Sequence, residues 1–215
     1  MSWRNGGTVL GLSAGRAAKF AAMPDPILTI GHSTRTLAEF LTLLEAHHIA
    51  RIVDVRRFPG SRRHPHFSGP ALAAALAGAG IGYTHLAGLG GFRKPRPESP
   101  NVGLRHPMFR GYADHMDTPE FAAGLAVLLE VAGRERVAAM CAEALPAQCH
   151  RRLLADALVA RGHAVWHVLD LRRIEPHALA PEIERDGDRL IYSANQTAMA
   201  LGDDAVVDPS ESGDR

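Results

Sequence analysis

The stretch VAAMCAEALPAQCHRRLLADAL, residues 137–158, organises our interpretation of the whole chain. It begins as a short apolar run, passes through a turn that contains proline, and becomes amphipathic at helical spacing from Cys149. We therefore predict a strand over 137–141 and a helix over 149–161, which Gly162 ends. The junction between them concentrates side chains with useful chemistry: Cys141, Glu143, Cys149, His150 and Arg151.

Length and composition exclude several classes of protein. The chain has 215 residues, and its 24 Lys and Arg against 23 Asp and Glu leave a net charge of +1. That length predicts one domain, and the near-neutral charge argues against a dedicated nucleic-acid-binding protein. Two cysteines are too few for a disulfide framework and indicate a reducing, cytoplasmic setting. No apolar run approaches the ~18 residues that span a bilayer, so we expect no membrane contact.

Short apolar runs alternate with helical patterns along the remainder of the chain. We predict strands over 27–30, 49–55, 81–86, 137–141 and 164–169, with a last strand or edge over 189–193. We predict helices from a Thr36–Glu39 capping box, over 70–79, over 107–115, from Thr118–Pro119, over 149–161 and over 176–183. This order predicts an α/β fold, a single three-layer domain with a mainly parallel sheet of about five strands and helices on both faces.

The two ends of the chain differ in composition from the middle. Residues 1–26 contain no acid before Asp25, and we interpret them as a disordered arm or as a start called too early, with Met23 as the true start. Residues 27–195 form the predicted α/β domain. Residues 196–215 are rich in acidic side chains and are predicted to be a flexible tail.

Polar, cationic or glycine-rich groups follow four consecutive predicted strands. In chain order they are His32 to Arg35, Arg56 and Arg57, Gly88 to Gly91, and Glu143 with residues 149–151. Right-handed crossovers place the carboxyl ends of parallel strands at one edge of a sheet, where ligands usually bind. The sequence therefore predicts a functional site at that edge.

Several segments together resemble a known family, the bacterial domain-of-unknown-function family 488. They are TIGHS (29–33), DVR (54–56), PGSR (59–62), FS (67–68), LGG (89–91), FRGYAD (109–114), CAE (141–143) and CHR (149–151). The resemblance covers residues 27–169. It implies the α/β domain and leaves the activity open, and it adds Arg62 and Tyr112 to the candidate binding residues.

The start of the predicted helix at Cys149 is the strongest candidate for an anion site. Free amides and the helix dipole favour an anion there and lower the pKa of a thiol. We therefore expect Arg151 and His150 to bind substrate and Cys149 to act as the nucleophile. The alternative is an ordinary helix start with a buried, inert cysteine, because apolar burial raises the pKa of a thiol.

Two further residues are candidates for proton transfer. Glu143 follows a strand and would serve as a general acid or base in a partly apolar pocket, although it could equally pair with Arg56 or Arg151 for structure. His32 follows the first strand and could move protons, with a backbone-bonded loop histidine as the alternative. Ser33 could bind phosphate or could satisfy free amides before the helix.

Arginines after the second strand favour carboxylate or phosphate ligands. Arg56, directly at the strand end, is the preferred binding residue, and Arg62 lies farther along the same loop. Asp54 precedes them inside an apolar strand, and since a buried carboxylate needs a partner, we expect it to pair with His32 or Arg56.

These patterns lead to one main functional hypothesis and two alternatives. The main hypothesis is an enzyme that binds an anionic small molecule (a nucleotide, phosphate ester or carboxylate), with the reaction open between a hydrolase and a transferase. One alternative is a nucleic-acid-binding or regulatory module that uses the Arg-rich loops 56–63 and 93–110. The other is a thiol or metal sensor built on Cys141 and Cys149. Adjacent helical residues such as Cys149 and His150 point about 100° apart, so we predict no metal, and the sequence leaves any cofactor and the oligomeric state open.

Overall fold

The computed structural model describes residues 25–60 and 63–193. Within them the strands are β1 Ile27–Gly31, β2 Arg51–Asp54, β3 Gly82–His85, β4 Val137–Cys141, β5 Val165–Val168, β6 Ile174–Pro176, β7 Glu184–Asp186 and β8 Arg189–Ile191. The α-helices are α1 Leu37–Ala46, α2 Gly69–Gly78, α3 Pro107–His115, α4 Pro119–Ala132 and α5 Arg151–Ala160. Among these residues, no helix is both long enough and apolar enough to cross a membrane.

Six of the strands form one sheet in the order β3-β2-β4-β1-β5-β6. The five predicted strands pair in parallel, and β6 pairs with β5 antiparallel at the edge. The prediction of an α/β fold with a mainly parallel sheet is confirmed. The sixth strand escaped prediction because it is three residues long and lacks a buried apolar pattern.

Two apolar clusters cover the two faces of the sheet, which makes the domain three-layered. Helices α1 and α2 contribute residues such as Phe40 and Leu72 to one cluster, and α3, α4 and α5 contribute Phe121 and Leu154 to the other. Each strand serves both faces, since alternate side chains of a strand point in opposite directions.

The strands β1 and β4 are parallel neighbours in the sheet, but the connections that follow them cross the sheet in opposite directions. From β1 the chain crosses through α1 to β2 on one side, and from β4 it crosses through α5 to β5 on the other. The loops after β1 and β4 therefore leave toward opposite faces. Open α/β sheets bind ligands in the crevice that such a reversal creates.

The predicted helix caps explain where three helices begin or end. Thr36 and Glu39 form the expected capping box on α1. At the start of α4, the Thr118 hydroxyl accepts a hydrogen bond from the Phe121 amide. Gly162 follows α5 with a φ of 85°, a left-handed conformation that favours glycine.

Two predicted helices need correction. The helix predicted over 176–183 is wrong, because residues Ile174–Pro176 form β6 and irregular chain follows as far as the β7–β8 hairpin. Helix α5 begins at Arg151 instead of Cys149, which is extended with φ −139° and ψ 148° after the 3-10 turn Pro146–Gln148. The strand predicted over 189–193 is confirmed as β8, in the hairpin instead of the main sheet.

Predictions about the two ends fall largely outside the described residues. Of the predicted N-terminal arm only Asp25 and Pro26 are described, and the predicted acidic tail over 196–215 lies beyond residue 193.

Candidate functional site

The loops after β1 and β4 run side by side beyond the sheet. The His32 amide donates to the Cys141 carbonyl at 3.0 Å, and the Ser33 amide donates to the Ala142 carbonyl at 2.8 Å. The approach is close enough that a Cβ at Gly31 would overlap the carbonyl oxygen of Glu143. Glycine is required there, and the backbone at this crevice is held from both strands.

Cys141 ends β4, and the turn after it returns the chain so that Cys149 lies against it. The two sulfur atoms are 2.7 Å apart, and both thiols are free. The residues are 5% and 2% exposed, respectively. Two cysteines that the sequence separates by a loop are thus brought together in the interior at the carboxyl edge of the sheet.

The two thiols differ in acidity. Burial opposes ionisation of Cys149, but the Cys141 hydrogen bond, the Arg151 charge and the Arg151 amide 3.5 Å from its sulfur together lower its pKa to about 7. For Cys141, burial and the neighbouring Cys149 raise the pKa. Cys149 is therefore the more acidic thiol of the pair, and Cys141 donates to its sulfur when Cys149 ionises.

His150 lies beside the Cys149 sulfur, and its hydrogen bonds define the tautomer of the neutral ring. Its Nε2 atom is 3.0 Å from the Val55 carbonyl oxygen, which can only accept, so Nε2 carries the proton. The unprotonated Nδ1 then faces the Cys149 sulfur at 3.6 Å. A Cβ at Gly91 would lie only 2.9 Å from Nδ1, so glycine at this position leaves room for the His150 ring.

Tyr112, a predicted binding residue, forms another wall of the site. Its ring centroid is 5.0 Å from that of His150, and its hydroxyl donates to the Leu89 carbonyl at 3.0 Å. Burial raises the pKa of the fully buried phenol. It therefore holds the imidazole in place with its hydroxyl already engaged.

Arg151 is fully buried, and among the described residues no carboxylate is a hydrogen-bond partner of its side chain. Its guanidinium donates to the Glu143 and Ala144 carbonyls at 2.5 and 3.3 Å and to the Thr29 hydroxyl at 3.4 Å. Its Nε atom is buried without a hydrogen-bond partner. Burial disfavours the charge, and the thiolate of Cys149 is the main group that restores the pKa of Arg151. The guanidinium and the thiolate therefore stabilise each other.

A chain of hydrogen bonds runs from Arg151 to a second buried acid. Thr29 Oγ1 is 2.6 Å from His167 Nδ1, His167 Nε2 is 3.0 Å from His177 Nδ1, and His177 Nε2 is 2.8 Å from an Asp156 carboxylate oxygen. Burial lowers the pKa of His167 to about 3, so it is neutral. One set of protons then satisfies every link, each group donating to the next until the chain ends on Asp156.

A second polar cluster lies at the end of β2, next to β4. Arg56 makes a bidentate ion pair with Asp54, with its Nε and NH2 atoms 2.9 and 2.6 Å from the two carboxylate oxygens. The Tyr83 hydroxyl donates to the same carboxylate at 2.8 Å. The expected partner of the buried aspartate is thus Arg56, and that guanidinium is already neutralised.

His32 lies between the two clusters. Burial lowers its pKa to about 4, and its ring stacks on Phe67 with centroids 4.2 Å apart. Its Nδ1 atom lies 2.9 Å from the Ser33 carbonyl, and Nε2 lies 3.4 Å from the Arg56 NH1 atom. The imidazole is neutral and accepts from the arginine.

The structure groups the predicted site residues unequally. One group forms around Cys149, which contacts His150 and Arg151, and Tyr112 packs against His150. The adjoining cluster contains Arg56 and His32. The Glu143 side chain is exposed, and packing around its carboxylate raises its pKa against the opposing charge of Arg151. Arg62 lies outside the described residues.

Three donor atoms in the described chain have spacing that could suit a metal. One atom each from Cys141, Cys149 and His150 lies within 4.8 Å of the others. Two thiolates on a tetrahedral zinc ion are roughly 3.7 Å apart, given Zn–S bonds of about 2.3 Å. The sulfurs at 2.7 Å would have to separate, and the buried Arg151 disfavours another cation. The present arrangement suits a thiolate better than a metal.

Comparison with known proteins bears on the same residues. The family model described as "Domain of unknown function DUF488" matches residues 36–158. The chain belongs to this family. The match extends from the N-cap of α1 into α5 and so includes both cysteines, Arg56 and Arg151. No curated protein and no solved structure matches the chain.

Proposed function

We propose that this DUF488 protein is an enzyme whose nucleophile is the Cys149 thiolate and whose substrate is an anionic small molecule. The observation that carries the proposal is the fully buried Arg151, whose polar contacts are uncharged apart from the thiol pair. An isolated buried cation costs several kcal/mol. Ionising Cys149 offsets that cost, so the fold itself favours the reactive form of the sulfur.

His150 supplies a base and an acid in this scheme. Its Nδ1 lone pair faces the sulfur at 3.6 Å, while the Val55 carbonyl holds the ring through Nε2. A nucleophile, a base and a group that orients the base are the usual components of cysteine catalysis. His150 takes the thiol proton and returns it to the leaving group.

The exposed surface above the site supports recognition of an anion with an apolar part. Arg57 lies 5.4 Å from the Phe58 ring centroid and donates to the Phe92 carbonyl at 2.8 Å. Phe58 and Phe92 are 69% and 51% exposed. A guanidinium beside one exposed aromatic ring, with a second exposed aromatic residue at its hydrogen-bond partner, suits a nucleotide, a phosphate ester or an aromatic carboxylate. Because Cys149 is buried, the proposal requires the loop that carries Gly91 and Phe92 to move aside and admit the substrate.

Three of the four arginines in the second Arg-rich loop, Arg93, Arg96 and Arg110, are engaged within the protein, which favours the enzyme over the nucleic-acid-binding alternative. Arg93 pairs with Glu120 at 3.1 Å, and Arg110 donates to the Leu104 carbonyl at 3.0 Å. Groups held in this way have less freedom to grip a phosphate backbone.

A ligand screen tests the proposal. Nucleotides, phosphate esters and carboxylates are compared by thermal shift on the wild type, Arg57→Gln and the control Arg134→Gln. The control removes an exposed charge just after α4, that of Arg134, which pairs with Glu130. We expect at least one anion to stabilise the wild type and the control but not Arg57→Gln. Turnover of that anion should disappear in Cys149→Ser. Turnover that survives in Cys149→Ser would remove the nucleophile from the proposal.

A further inference from the structure

We infer that Cys141 is a second catalytic thiol and that the site exchanges thiols with small anionic disulfides. The inference rests on the proposed thiolate chemistry of Cys149 and names its substrate class. It starts from the contact between the sulfurs, 2.7 Å apart with both thiols free. A hydrolase needs one sulfur only, whereas thiol–disulfide exchange needs a second thiol to release the product.

The chain has two cysteines, and the fold brings these two into contact. Both belong to the same site, one at the end of β4 and one just before α5. A disulfide bond is about 2.05 Å long, so little movement separates the reduced pair from a bonded one. Each cysteine is also the only thiol that the other can reach.

The reaction balances as two exchanges. The Cys149 thiolate attacks one sulfur of a substrate disulfide, forms a mixed disulfide and releases the first substrate thiolate. Cys141 then loses its proton to His150 Nδ1 and attacks the Cys149 sulfur, which releases the second thiolate. Two electrons pass to the substrate, and the protein is left with a Cys141–Cys149 disulfide. A second small thiol pair reduces that disulfide by the reverse exchange.

The environment of the two sulfurs fits this order of events. In the resting site the negative charge is on Cys149, where the Arg151 amide and guanidinium stabilise it and Cys141 donates to it. Once Cys149 is bonded to substrate, that charge is gone and Cys141 no longer has an acceptor. His150, which lies against both sulfurs, is then the available base.

The same arginine makes the disulfide labile. Oxidation removes the thiolate that balances Arg151 and leaves a fully buried cation whose hydrogen-bond acceptors are neutral, with the exposed Glu143 carboxylate as the remaining opposing charge. A dithiol whose reduced form is stabilised in this way is a strong oxidant. We therefore expect the oxidised protein to melt at a lower temperature than the reduced protein, which is the opposite of an ordinary structural disulfide.

A chromogenic anionic disulfide, 5,5′-dithiobis(2-nitrobenzoate), tests the exchange. The wild type should release two equivalents of coloured thiolate and keep no adduct, with a mass lower by two hydrogens. Cys141→Ser should release one equivalent and keep the adduct, and Cys149→Ser should react many-fold more slowly. Cys141→Ala serves as a second variant if the serine disturbs folding. A wild type that keeps its adduct would overturn the inference.

Alkylation separates this inference from the function on which it rests. Iodoacetamide reacts with the single thiol of Cys141→Ser at a rate that follows the thiolate fraction. Fast alkylation at neutral pH without disulfide formation in the wild type would defeat only the exchange reaction. Slow alkylation that needs strongly basic pH would defeat both. Melting of the oxidised and reduced wild type, and of the same pair in Arg151→Gln, checks the labile disulfide: the difference should disappear in the variant, and a more stable oxidised wild type would contradict it.

Discussion

Two buried arginines stand at neighbouring strand ends, and their partners differ. Arg56, after β2, makes a bidentate pair with the Asp54 carboxylate. Arg151, beyond β4, contacts carbonyls, a hydroxyl and the thiol of Cys149. A carboxylate neutralises its arginine permanently. A thiol does so only when it ionises, and in doing so it becomes a nucleophile.

The comparison explains why we propose a reactive group at only one of the two positions. The Asp54–Arg56 pair has a further donor in Tyr83, and burial and the carboxylate raise the pKa of that phenol. Every charge in this cluster has a fixed partner. At Arg151 the buried Nε has no hydrogen-bond partner among the described residues. The ionisation of Cys149 is the largest favourable charge contribution to that guanidinium, with the Glu143 carboxylate as a further opposing charge.

The largest effect is expected from breaking the carboxylate pair. Asp54→Asn leaves Arg56 buried without its charge partner, which typically costs about 3–5 kcal/mol in the free energy of unfolding. Urea denaturation measures it. Glu135→Gln, which breaks the more exposed Arg51–Glu135 pair at 2.7 Å, is the control and should cost less than about 1 kcal/mol. Equal losses in the two variants would mean that Asp54 and Arg56 are not a desolvated pair.

A pH dependence of stability should identify the thiolate pair. The pKa of Cys149 is lowered from 9.0 to about 7, so its contribution is full above pH 9 and is lost as the pH falls through 7. A change of this size corresponds to roughly 2–3 kcal/mol. Above pH 9 the raised pKa of Cys141 acts in the opposite direction.

Urea denaturation at several pH values, on the wild type and on Cys149→Ser, measures this contribution. The rise in stability between pH 7 and 9 should appear in the wild type and be absent from the variant. A parallel rise in both proteins would assign it to other groups.

Removing the charge of Arg151 should lower the reactivity of Cys149. In a Cys141→Ser background, Arg151→Gln takes away the charge that stabilises the thiolate, and we expect the pKa of Cys149 to rise by a unit or more. Because about half of Cys149 is ionised at pH 7, that rise lowers the thiolate fraction, and with it the alkylation rate at pH 7, by at least about fivefold. Arg161→Gln, at the other end of α5 beside Asp188, removes the same charge and should leave the rate unchanged.

The smallest effect tests the hydrogen-bond chain behind Arg151. Asp156→Asn removes the negative charge that ends the chain from Thr29 through His167 and His177. The orientation of Arg151 is then less well defined, and alkylation of Cys149 at pH 7 should slow by about two- to threefold, within the range of one charged hydrogen bond. Asp188→Asn is the matched control. A shift in the pH profile, with no change at saturating pH, distinguishes this positioning role from general damage.

Local patterns were sufficient for most of the fold. The Thr36–Glu39 capping box, the Thr118 cap and the glycine after α5 act within one helical turn, and each is found where the pattern indicates it. Residues 176–183 were misassigned because Pro176 resembles the first residue of a helix. In the structure that proline ends an edge strand, where its missing amide proton is harmless and the pairing partner is the distant β5.

The candidate site was only partly predictable. The run Cys149-His150-Arg151 marks it, and the catalytic role of Glu143 stays a prediction. The contact between the Glu143 carbonyl and Arg151 could not be read from the sequence. The relay through His167 and His177 was missed. One signal was available, because Asp156 lies on the buried face of α5, and a buried carboxylate requires a partner.

Sequence periodicity and capping were enough to place the main strands and most helices, since these depend on residues a few positions apart. They also identified which residues to watch. They could not reveal that Asp54 neutralises Arg56 while Arg151 depends on a thiolate, because such pairing depends on the order of strands in the sheet and on exclusion of water. Acidity is set by the packed surroundings of a group, and for Cys149 those surroundings come from β1, β4 and α5 together.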